Sequence, residues 1–110
     1  MKMEAITIKQ LRALCRNLDD VEITQHALLR FLERGIKLND IIRSIGNGEI
    51  IEQYPDDYPF PSCLVLGLSV KNSHLHTVCG VGEDKLWIIT AYYPTLDMWQ
   101  NDYKTRKAVQ

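Results

Sequence analysis

Three residues at helical spacing could form one binding surface early in the chain. His26, Arg30 and Arg34 stand at i, i+4 and i+8, so in a helix their side chains fall along one stripe. An imidazole that titrates near neutrality and two permanently charged guanidiniums could hold an anion such as a phosphate. The alternative is the solvated polar side of an amphipathic helix, which is the commoner origin of such a pattern.

Two further histidines lie in a segment with strand periodicity. His74 and His76 are two residues apart, so both side chains point to the same face of a strand. Two imidazoles could ligate a metal, but Cys79 has the opposite parity and no third ligand is evident, so we expect neither a metal nor a cofactor. We interpret His76 either as a structural hydrogen-bonding group or as a member of a site. Tyr92, at a strand end, could donate a hydrogen bond to a ligand.

Other chemistry has weaker support in the sequence. Ser62 lacks a G-x-S-x-G turn and Cys63 lacks the surroundings of a catalytic cysteine, so we do not expect a covalent nucleophile. The acidic pairs Asp56-Asp57 and Glu83-Asp84 fall in predicted turns. We interpret them as solvating turn residues.

The histidine–arginine stripe requires a helix, and the sequence predicts one from Thr24 to Arg34. Thr24 can cap its first turn through the hydroxyl, and Gly35 can end it in the left-handed conformation. Helical spacing predicts that one apolar side faces the core; its members are Ala27, Leu28, Phe31 and Leu32.

The remaining elements follow from periodicity. Apolar stripes predict a helix over Ile6–Leu18 and another that begins at Leu38 or Asn39 and ends at Asn47-Gly48. Val21–Ile23 is predicted to be a short extended lead into the central helix. From Glu49 the period becomes two, which predicts strands at Glu49–Gln53, Ser62–Val70, His74–Val81 and Leu86–Tyr93.

The order of these elements predicts the fold class. Thr95 or Asp97 is expected to cap a short C-terminal helix after Pro94 stops the last strand. We therefore predict an α+β fold, with N-terminal helices packed on one face of an antiparallel sheet of about four strands. The short turns predict that its last three strands form a consecutive antiparallel meander.

Composition narrows the class of protein. The chain has 110 residues, 45% of them apolar, which is enough for one domain with a core. Its net charge of −1 is unlike the basic balance of most dedicated nucleic-acid-binding domains. Three cysteines without C-x-x-C spacing fit a reducing compartment. The N-terminus lacks a signal-peptide core and no apolar run approaches the roughly 20 residues of a membrane span, so we expect a cytoplasmic protein without membrane contact.

The stripe belongs to a longer pattern. The run H-A-L-L-R-F-L-E-R-G-I, from His26 to Ile36, resembles the H-A-x-x-R-x-x-E-R-G-I signature of a small bacterial domain family of unknown function. The resemblance continues in order and spacing through I-I-E-x-Y-P-D-D at Ile50–Asp57, P-S-C-L-V-L-G at Pro61–Gly67, H-x-V at His76–Val78, I-I-T-A-Y-Y-P at Ile88–Pro94, Trp99 and Arg106. It implies a RelE/BrnT-like domain over residues 21–110, preceded by an N-terminal helical extension over residues 1–20.

That family resembles, more distantly, the RelE/BrnT-type ribonuclease toxins of toxin–antitoxin pairs, which cleave RNA without a metal. The resemblance implies a metal-independent endoribonuclease, with RNA as substrate and an antitoxin-like protein as partner. Cleavage needs an acid, a base and cations around the phosphate. The catalytic candidates are His26, His76 and Tyr92, and the substrate-binding candidates are Arg30, Arg34 and Arg106. We expect His26, Arg30 and His76 to converge on one phosphate.

The competing hypothesis is a non-catalytic module that binds a partner protein. The aromatic loop Tyr54–Phe60 and Trp99 would then supply interface anchors. In a third interpretation Arg30 and Arg34 are structural, and pair with Glu52, Asp56 or Asp57. A positive concave surface around His26 would favour RNA and a flat apolar surface would favour protein. The sequence favours no particular oligomeric state.

Overall fold

The computed structural model describes residues 5–108, which form three helices and a five-stranded mixed sheet. Residues 1–4 and 109–110, at the outer ends of the predicted segments 1–20 and 21–110, lie outside that range. None of the described helices is long and apolar enough to cross a membrane. The helices are α1 (Ile8–Cys15), α2 (Gln25–Arg34) and α3 (Leu38–Asn47), and the strands are β1 (Val21–Ile23), β2 (Glu49–Tyr54), β3 (Ser62–Leu68), β4 (His74–Gly82) and β5 (Lys85–Tyr92).

The strand order in the sheet is β1-β5-β4-β3-β2. The predicted meander is confirmed, since β3, β4 and β5 pair consecutively and antiparallel, and β2 pairs antiparallel with β3. The number and direction of the strands were predicted incompletely. Segment Val21–Ile23 pairs in parallel with β5, from Val21 beside Leu86 to Ile23 beside Ile88. The alternation of apolar and polar residues cannot be recognised over three residues. Sequence periodicity therefore did not reveal that this segment pairs with a strand much later in the chain.

The predicted C-terminal helix is wrong. After β5, residues 95–105 form turns, and Trp99 pairs with Arg106 in an isolated antiparallel bridge. The Asp102 carboxylate accepts hydrogen bonds from the backbone N–H groups of Lys104 and Thr105, which closes one of these turns. Burial of Trp99 against the sheet outweighs the weak helical preference of so short a segment. We call Thr95–Lys107 the C-terminal segment.

Helix α2 begins and ends where its sequence predicts. Thr24 Oγ1 accepts from the Ala27 N–H at 3.1 Å, and Gly35 has a φ of 67°. Ala27 and Phe31 are buried, which confirms half of its predicted core side. Leu28 and Leu32 were wrongly assigned to the core, because they are 49% and 72% exposed. The helix packs on β5, and these two leucines point away from that contact.

The three exposed leucines of α2 form a continuous apolar surface. Leu29 is 54% exposed and lies one turn before Leu32, beside Leu28. We call Leu28, Leu29 and Leu32 the α2 ridge. Helical periodicity places Ala27 and Phe31 on one line of apolar side chains and Leu28 and Leu32 on the adjacent line. It does not reveal which of these two lines faces the sheet.

The core lies between the helices and one face of the sheet, which we call the helix face. Strands contribute Cys63 and Val65 from β3, Leu75 and Cys79 from β4, and Leu86 and Ile88 from β5. Helices contribute Leu11, Phe31, Ile41 and Ile45. Burial raises the pKa of the Cys63 thiol to about 12, so it remains a protonated, small apolar core residue.

Candidate functional site

The opposite side of the sheet, which we call the far face, carries a cluster of polar and aromatic side chains. Leu75 packs into the core on the helix face, so the next side chain on β4, His76, points to the far face. Tyr92 of β5 lies directly beside His76 in the strand register. Strand β2 and the C-terminal segment complete what we call the His76 cluster, which consists of Glu52, Tyr54, His76, Tyr92, Trp99, Tyr103 and Arg106.

His76 is fully buried, and both of its ring nitrogens are hydrogen-bonded. Nε2 lies 2.7 Å from the backbone carbonyl oxygen of Tyr103, and Nδ1 lies 3.2 Å from the hydroxyl oxygen of Tyr92. Because a carbonyl can only accept, Nε2 carries the proton and donates it. Nδ1 of the neutral ring therefore accepts from the Tyr92 hydroxyl. The Trp99 ring meets His76 edge to face at 4.4 Å between centroids.

The surroundings keep this pair neutral. Burial lowers the pKa of His76 below its ordinary value. The hydrogen bond to the Tyr103 carbonyl and the charge of the Glu52 carboxylate oppose that effect only in part. Burial likewise raises the pKa of Tyr92, while the positive charges of Arg106 and Arg34 act in the opposite direction. The pair therefore consists of an uncharged imidazole and a phenol that donates a hydrogen bond to it, and two cations lie near the phenol. Such a pair can take up a proton.

A salt bridge fixes the C-terminal segment over the far face. Arg106 donates from Nε and Nη2 to the two carboxylate oxygens of Glu52, each at 2.9 Å. The Tyr54 hydroxyl also donates to Glu52. The Arg106 hydrogen bonds hold the pKa of Glu52 below its ordinary value. The Arg106 guanidinium lies 4.7 Å above the Trp99 ring, so cation–π attraction adds to the bidentate pair.

Arg34 reaches this region from the end of α2. Strand β1 covers β5 only as far as Ile88, so the outer edge of β5 is open beyond that residue. The Arg34 Nη1 atom donates there to the Ala91 carbonyl at 2.8 Å and to the Thr90 hydroxyl at 3.3 Å. Helical geometry accounts for this placement, because Arg34 is rotated only about 20° from Ala27, which packs on the sheet. Four of the six predicted site residues thus lie together: His76, Tyr92, Arg34 and Arg106.

His26 and Arg30 lie elsewhere, which makes the expected convergence of His26, Arg30 and His76 wrong. Both are exposed on α2, on the helix side of the sheet, whereas His76 points to the far face. Arg30 forms an exposed salt bridge with Glu33 at 3.1 Å. The structural alternative, which paired Arg30 and Arg34 with Glu52, Asp56 or Asp57, is also wrong. Arg30 pairs with Glu33, Arg34 donates to Thr90 and Ala91, and Glu52 pairs with Arg106. Roles for His26 and Arg30 in binding stay predictions.

The two histidines of β4 share a face, and Tyr103 contacts both of them in different ways, through its ring for His74 and through its carbonyl for His76. The His74 ring stacks on Tyr103, with 4.5 Å between ring centroids, whereas both nitrogens of His76 are already hydrogen-bonded. Over residues 5–108, no three His, Cys, Asp or Glu side chains are arranged to hold a metal ion.

Sequence analysis did not identify the partners that organise this cluster. Glu52 and Tyr54 alternate on β2, so their common face could have been inferred from parity alone. Their pairing with Arg106 spans 54 positions of the chain and depends on the path of the C-terminal segment. The Tyr103 carbonyl that fixes the His76 tautomer has no side-chain signal at all.

Two cavities open beside the cluster on the far face. The first, of about 560 Å³, is lined by Tyr54, Asp56, Asp57, Val78, Ile89 and Thr90. The second, of about 570 Å³, lies between the loop around Tyr58 and the Trp87 side chain. Asp57 and Ile89 line both cavities, so together they form one groove that starts beside the Arg34–Thr90 contact.

Comparison with known proteins identifies one family. Residues 23–93, from β1 to just past β5, match the model of a family described as a domain of unknown function (DUF4258). No curated protein and no solved structure matches the chain. The family description names no activity.

Proposed function

The chain belongs to the DUF4258 family, and we propose that it is a toxin-like, metal-independent endoribonuclease whose site is the far face of the sheet. The observation that carries this proposal is the Tyr92 hydroxyl, which is bonded to neutral His76 within the electrostatic reach of Arg34 and Arg106. The H-A-x-x-R-x-x-E-R-G-I signature and the order of elements, two helices followed by an antiparallel meander, support a likeness to RelE/BrnT-type toxins.

In the proposed reaction the base is the Tyr92–His76 pair. The ribose 2′-hydroxyl gives its proton to the Tyr92 oxygen while Tyr92 passes its own proton to Nδ1 of His76. The 2′ oxygen then bonds to the phosphorus atom and the bond to the 5′ oxygen breaks. The 5′ oxygen takes a proton from water, which leaves a 2′,3′-cyclic phosphate and a 5′-hydroxyl. The negative charge of Glu52 acts against the lowering of the His76 pKa, so Glu52 stabilises the imidazolium that forms in this step.

The charge that grows on the phosphate needs a cation next to Tyr92. Arg34 is suited to this role because Nη1 anchors its exposed guanidinium to Thr90 and Ala91, and Thr90 lines the groove. Arg106 supports the site differently. Its bidentate pair with Glu52 fixes its position, so it contributes a fixed positive field at Tyr92.

Cleavage of RNA by the purified protein in the presence of a chelator tests this function. Tyr92→Phe removes only the hydroxyl, and we expect cleavage to fall by a factor of about 100 or more, as for other lost proton-transfer groups. Tyr93→Phe is the matched control, because Tyr93 is the adjacent tyrosine and is exposed. Arg34→Gln should also reduce cleavage, whereas Arg30→Gln, one turn earlier on the same helix, should not.

Three results would contradict the proposal. The intact protein could leave RNA uncleaved, its cleavage could stop with the chelator, or Tyr92→Phe could cleave as fast as Tyr93→Phe. Thermal unfolding of each variant would separate a loss of chemistry from a loss of structure. Tyr92→Phe is expected to lose only about 1 kcal/mol, the net contribution of one hydrogen bond.

One observation favours a second function, a protein-interaction module. The α2 ridge exposes three leucines on one helix, and contiguous exposed apolar surface is typical of protein-binding sites. An amphipathic helix of an antitoxin-like partner would fit such a ridge, with Arg30 and His26 at its polar border. This partner is compatible with a ribonuclease, since the ridge and the His76 cluster lie on different sides of the sheet.

Co-purification from the native host tests this second function. A stoichiometric partner should be lost from Leu29→Asp and Leu32→Asp and retained by Leu96→Asp, a matched change at an exposed leucine outside the ridge. A partner retained by all three variants would exclude the ridge as its docking surface.

A further inference from the structure

The second far-face cavity has a chemical character that differs from the rest of the molecule. One wall is an aromatic pair, Phe60 and Trp87, whose ring centroids are 5.4 Å apart and whose planes are tilted by 31°. Tyr58, at the outer rim, is 92% exposed. Trp87 is held in place because its Nε1 donates to the Gly82 carbonyl at 3.1 Å. The cavity thus presents preset aromatic surface to a flat, apolar occupant.

The charged groups around this aromatic surface are acidic. Asp57 and Glu83 line the cavity, and its described lining includes no lysine, arginine or histidine. Asp57 is fixed, since it accepts from the Ser62 hydroxyl at 2.6 Å and from the Tyr58 N–H at 3.0 Å. Glu83 projects from the exposed β4–β5 turn. An occupant of this cavity must therefore offer hydrogen-bond donors, and a phosphate would be repelled.

The position of the cavity suggests what brings such an occupant. It forms one groove with the first cavity, which reaches Thr90 and therefore the Arg34 contact. A bulge in β5 opposite Val78 and Cys79 keeps Trp87 and Tyr92 on the same face. Their partners on β4, Gly80 and His76, are four residues apart, or about 13 Å at the usual rise. A single strand whose phosphate lies between Arg34 and Tyr92 can extend along the groove and place a nearby base against Trp87.

We propose that the Phe60–Trp87 cavity is a nucleobase pocket of the proposed ribonuclease site, selective for a base with amino and imino donors, of which guanine is the best fit. Stacking supplies sequence-tolerant affinity, and carboxylates select bases that donate. Guanine offers N1–H and an exocyclic amino group side by side, whereas uracil offers one donor between two acceptors. This inference rests on the proposed function and assigns specificity to Asp57 and Glu83, two acids first interpreted as solvating turn residues.

Two-dimensional NMR of the intact, ¹⁵N-labelled protein tests the pocket without any cleavage. The chain has two tryptophans, so its spectrum contains two indole N–H signals, and a Trp87→Phe variant assigns them. Guanosine should shift the Trp87 signal and leave that of Trp99, which is buried in the His76 cluster. Uridine should bind about tenfold more weakly, the usual effect of losing a paired base contact.

Variants separate the contributions of donor recognition and stacking. Glu83→Gln should weaken guanosine binding about tenfold, while Asp84→Asn, at the adjacent exposed turn residue, should not change it. Tyr58→Ala, at a side chain exposed enough to spare the fold, should weaken guanosine and uridine by similar factors.

Each other outcome contradicts either the nucleobase pocket or the proposed ribonuclease. No shift with guanosine, or equal shifts with guanosine and uridine, overturns the nucleobase pocket. A Trp87 shift produced by argininamide and not by guanosine assigns the cavity to a basic peptide and also overturns it. A guanosine shift in a protein that cleaves no RNA supports the pocket and contradicts the ribonuclease, so the two failures are distinguishable.

Discussion

The outer side of α2 and the far face of the sheet carry similar residues in opposite states. Both have a histidine and arginines, yet His26 and Arg30 are exposed, whereas His76 is buried with both nitrogens bonded. On α2 the polar side chains border the leucines of the ridge, which are also exposed. On the far face the polar groups bond to one another. A histidine's residue type therefore says little about its chemistry until its neighbours are known.

The difference between the two regions indicates that the far face suits proton transfer and that the outer side of α2 suits docking of a partner. Groups held by packing and hydrogen bonds keep the geometry that proton transfer needs, and the Tyr92–His76 pair is held in this way. Exposed leucines beside exposed charges suit docking of a partner, which requires contact area more than fixed angles. Matched residues from the two regions should therefore respond differently to the same substitution.

Core packing should separate two neighbouring residues of α2. Phe31→Ala should lower the free energy of unfolding by roughly 3–5 kcal/mol, because it leaves a cavity in the core beneath β5. Leu32→Ala, one position later and 72% exposed, should change it by less than about 0.5 kcal/mol. Urea denaturation of both variants measures this contrast. A loss above about 2 kcal/mol for Leu32→Ala would mean that the ridge is covered in solution.

Substitution of His76 and of His26 should show the same contrast in the free energy of unfolding between a buried and an exposed residue. His76→Ala leaves the Tyr92 hydroxyl and the Tyr103 carbonyl without their partner and opens space beside Trp99, so a loss of about 2–4 kcal/mol is expected. His26→Ala should cost less than about 0.5 kcal/mol because its side chain is exposed. Equal losses would show that burial does not distinguish the two regions.

Sequence analysis predicted most of the fold because most elements carry local signals. Thr24 and Gly35 fix the ends of α2 through capping chemistry, and alternation located β3, β4 and β5. β1 and the path of the C-terminal segment could not be predicted in this way. The three residues of β1 depend on parallel pairing with β5, and Trp99 depends on burial against strands that precede it.

The candidate site was predicted less well, because its composition depends on which side chains meet. His76, Tyr92, Arg34 and Arg106 were named from residue type and resemblance, and they lie near one another. Grouping His26 and Arg30 with them failed because helical spacing gives a common stripe without saying which side faces the sheet. Ala27, which packs against the sheet beside Arg34, was the residue that could have resolved the orientation.

A smaller effect is expected for the salt bridge that fastens the C-terminal segment. Arg106→Gln removes the bidentate pair with Glu52 and the cation above Trp99, and should lower the free energy of unfolding by about 1 kcal/mol. Arg30→Gln breaks the isolated exposed pair with Glu33 and should cost less than about 0.5 kcal/mol. Chemical denaturation at low and high salt measures both. A larger loss for Arg30→Gln would contradict the view that the far face is the better-ordered polar region.

The smallest expected effect is the pH dependence of stability near neutrality. Burial lowers the pKa of His76 in the folded protein below the ordinary value of 6.5, which applies to the unfolded chain. At pH values between the folded-state and unfolded-state pKa, the unfolded chain therefore binds more protons than the folded one. The free energy of unfolding should therefore fall as the pH decreases from 7 through 6.5, and this contribution should stop changing below the folded-state pKa of His76. Its slope cannot exceed about 1.4 kcal/mol per pH unit for one proton.

His76→Gln should abolish that slope between pH 7 and the onset of carboxylate titration, because an amide does not titrate. His26→Gln, the same substitution at an exposed histidine, serves as the matched control. Glu52, whose pKa is held below its ordinary value of 4.5, titrates in a more acidic range and does not overlap this measurement. Denaturant unfolding at closely spaced pH values would resolve the difference. If His76→Gln keeps the slope, or His26→Gln removes it, the buried neutral imidazole is not the group that distinguishes the far face from the outer side of α2.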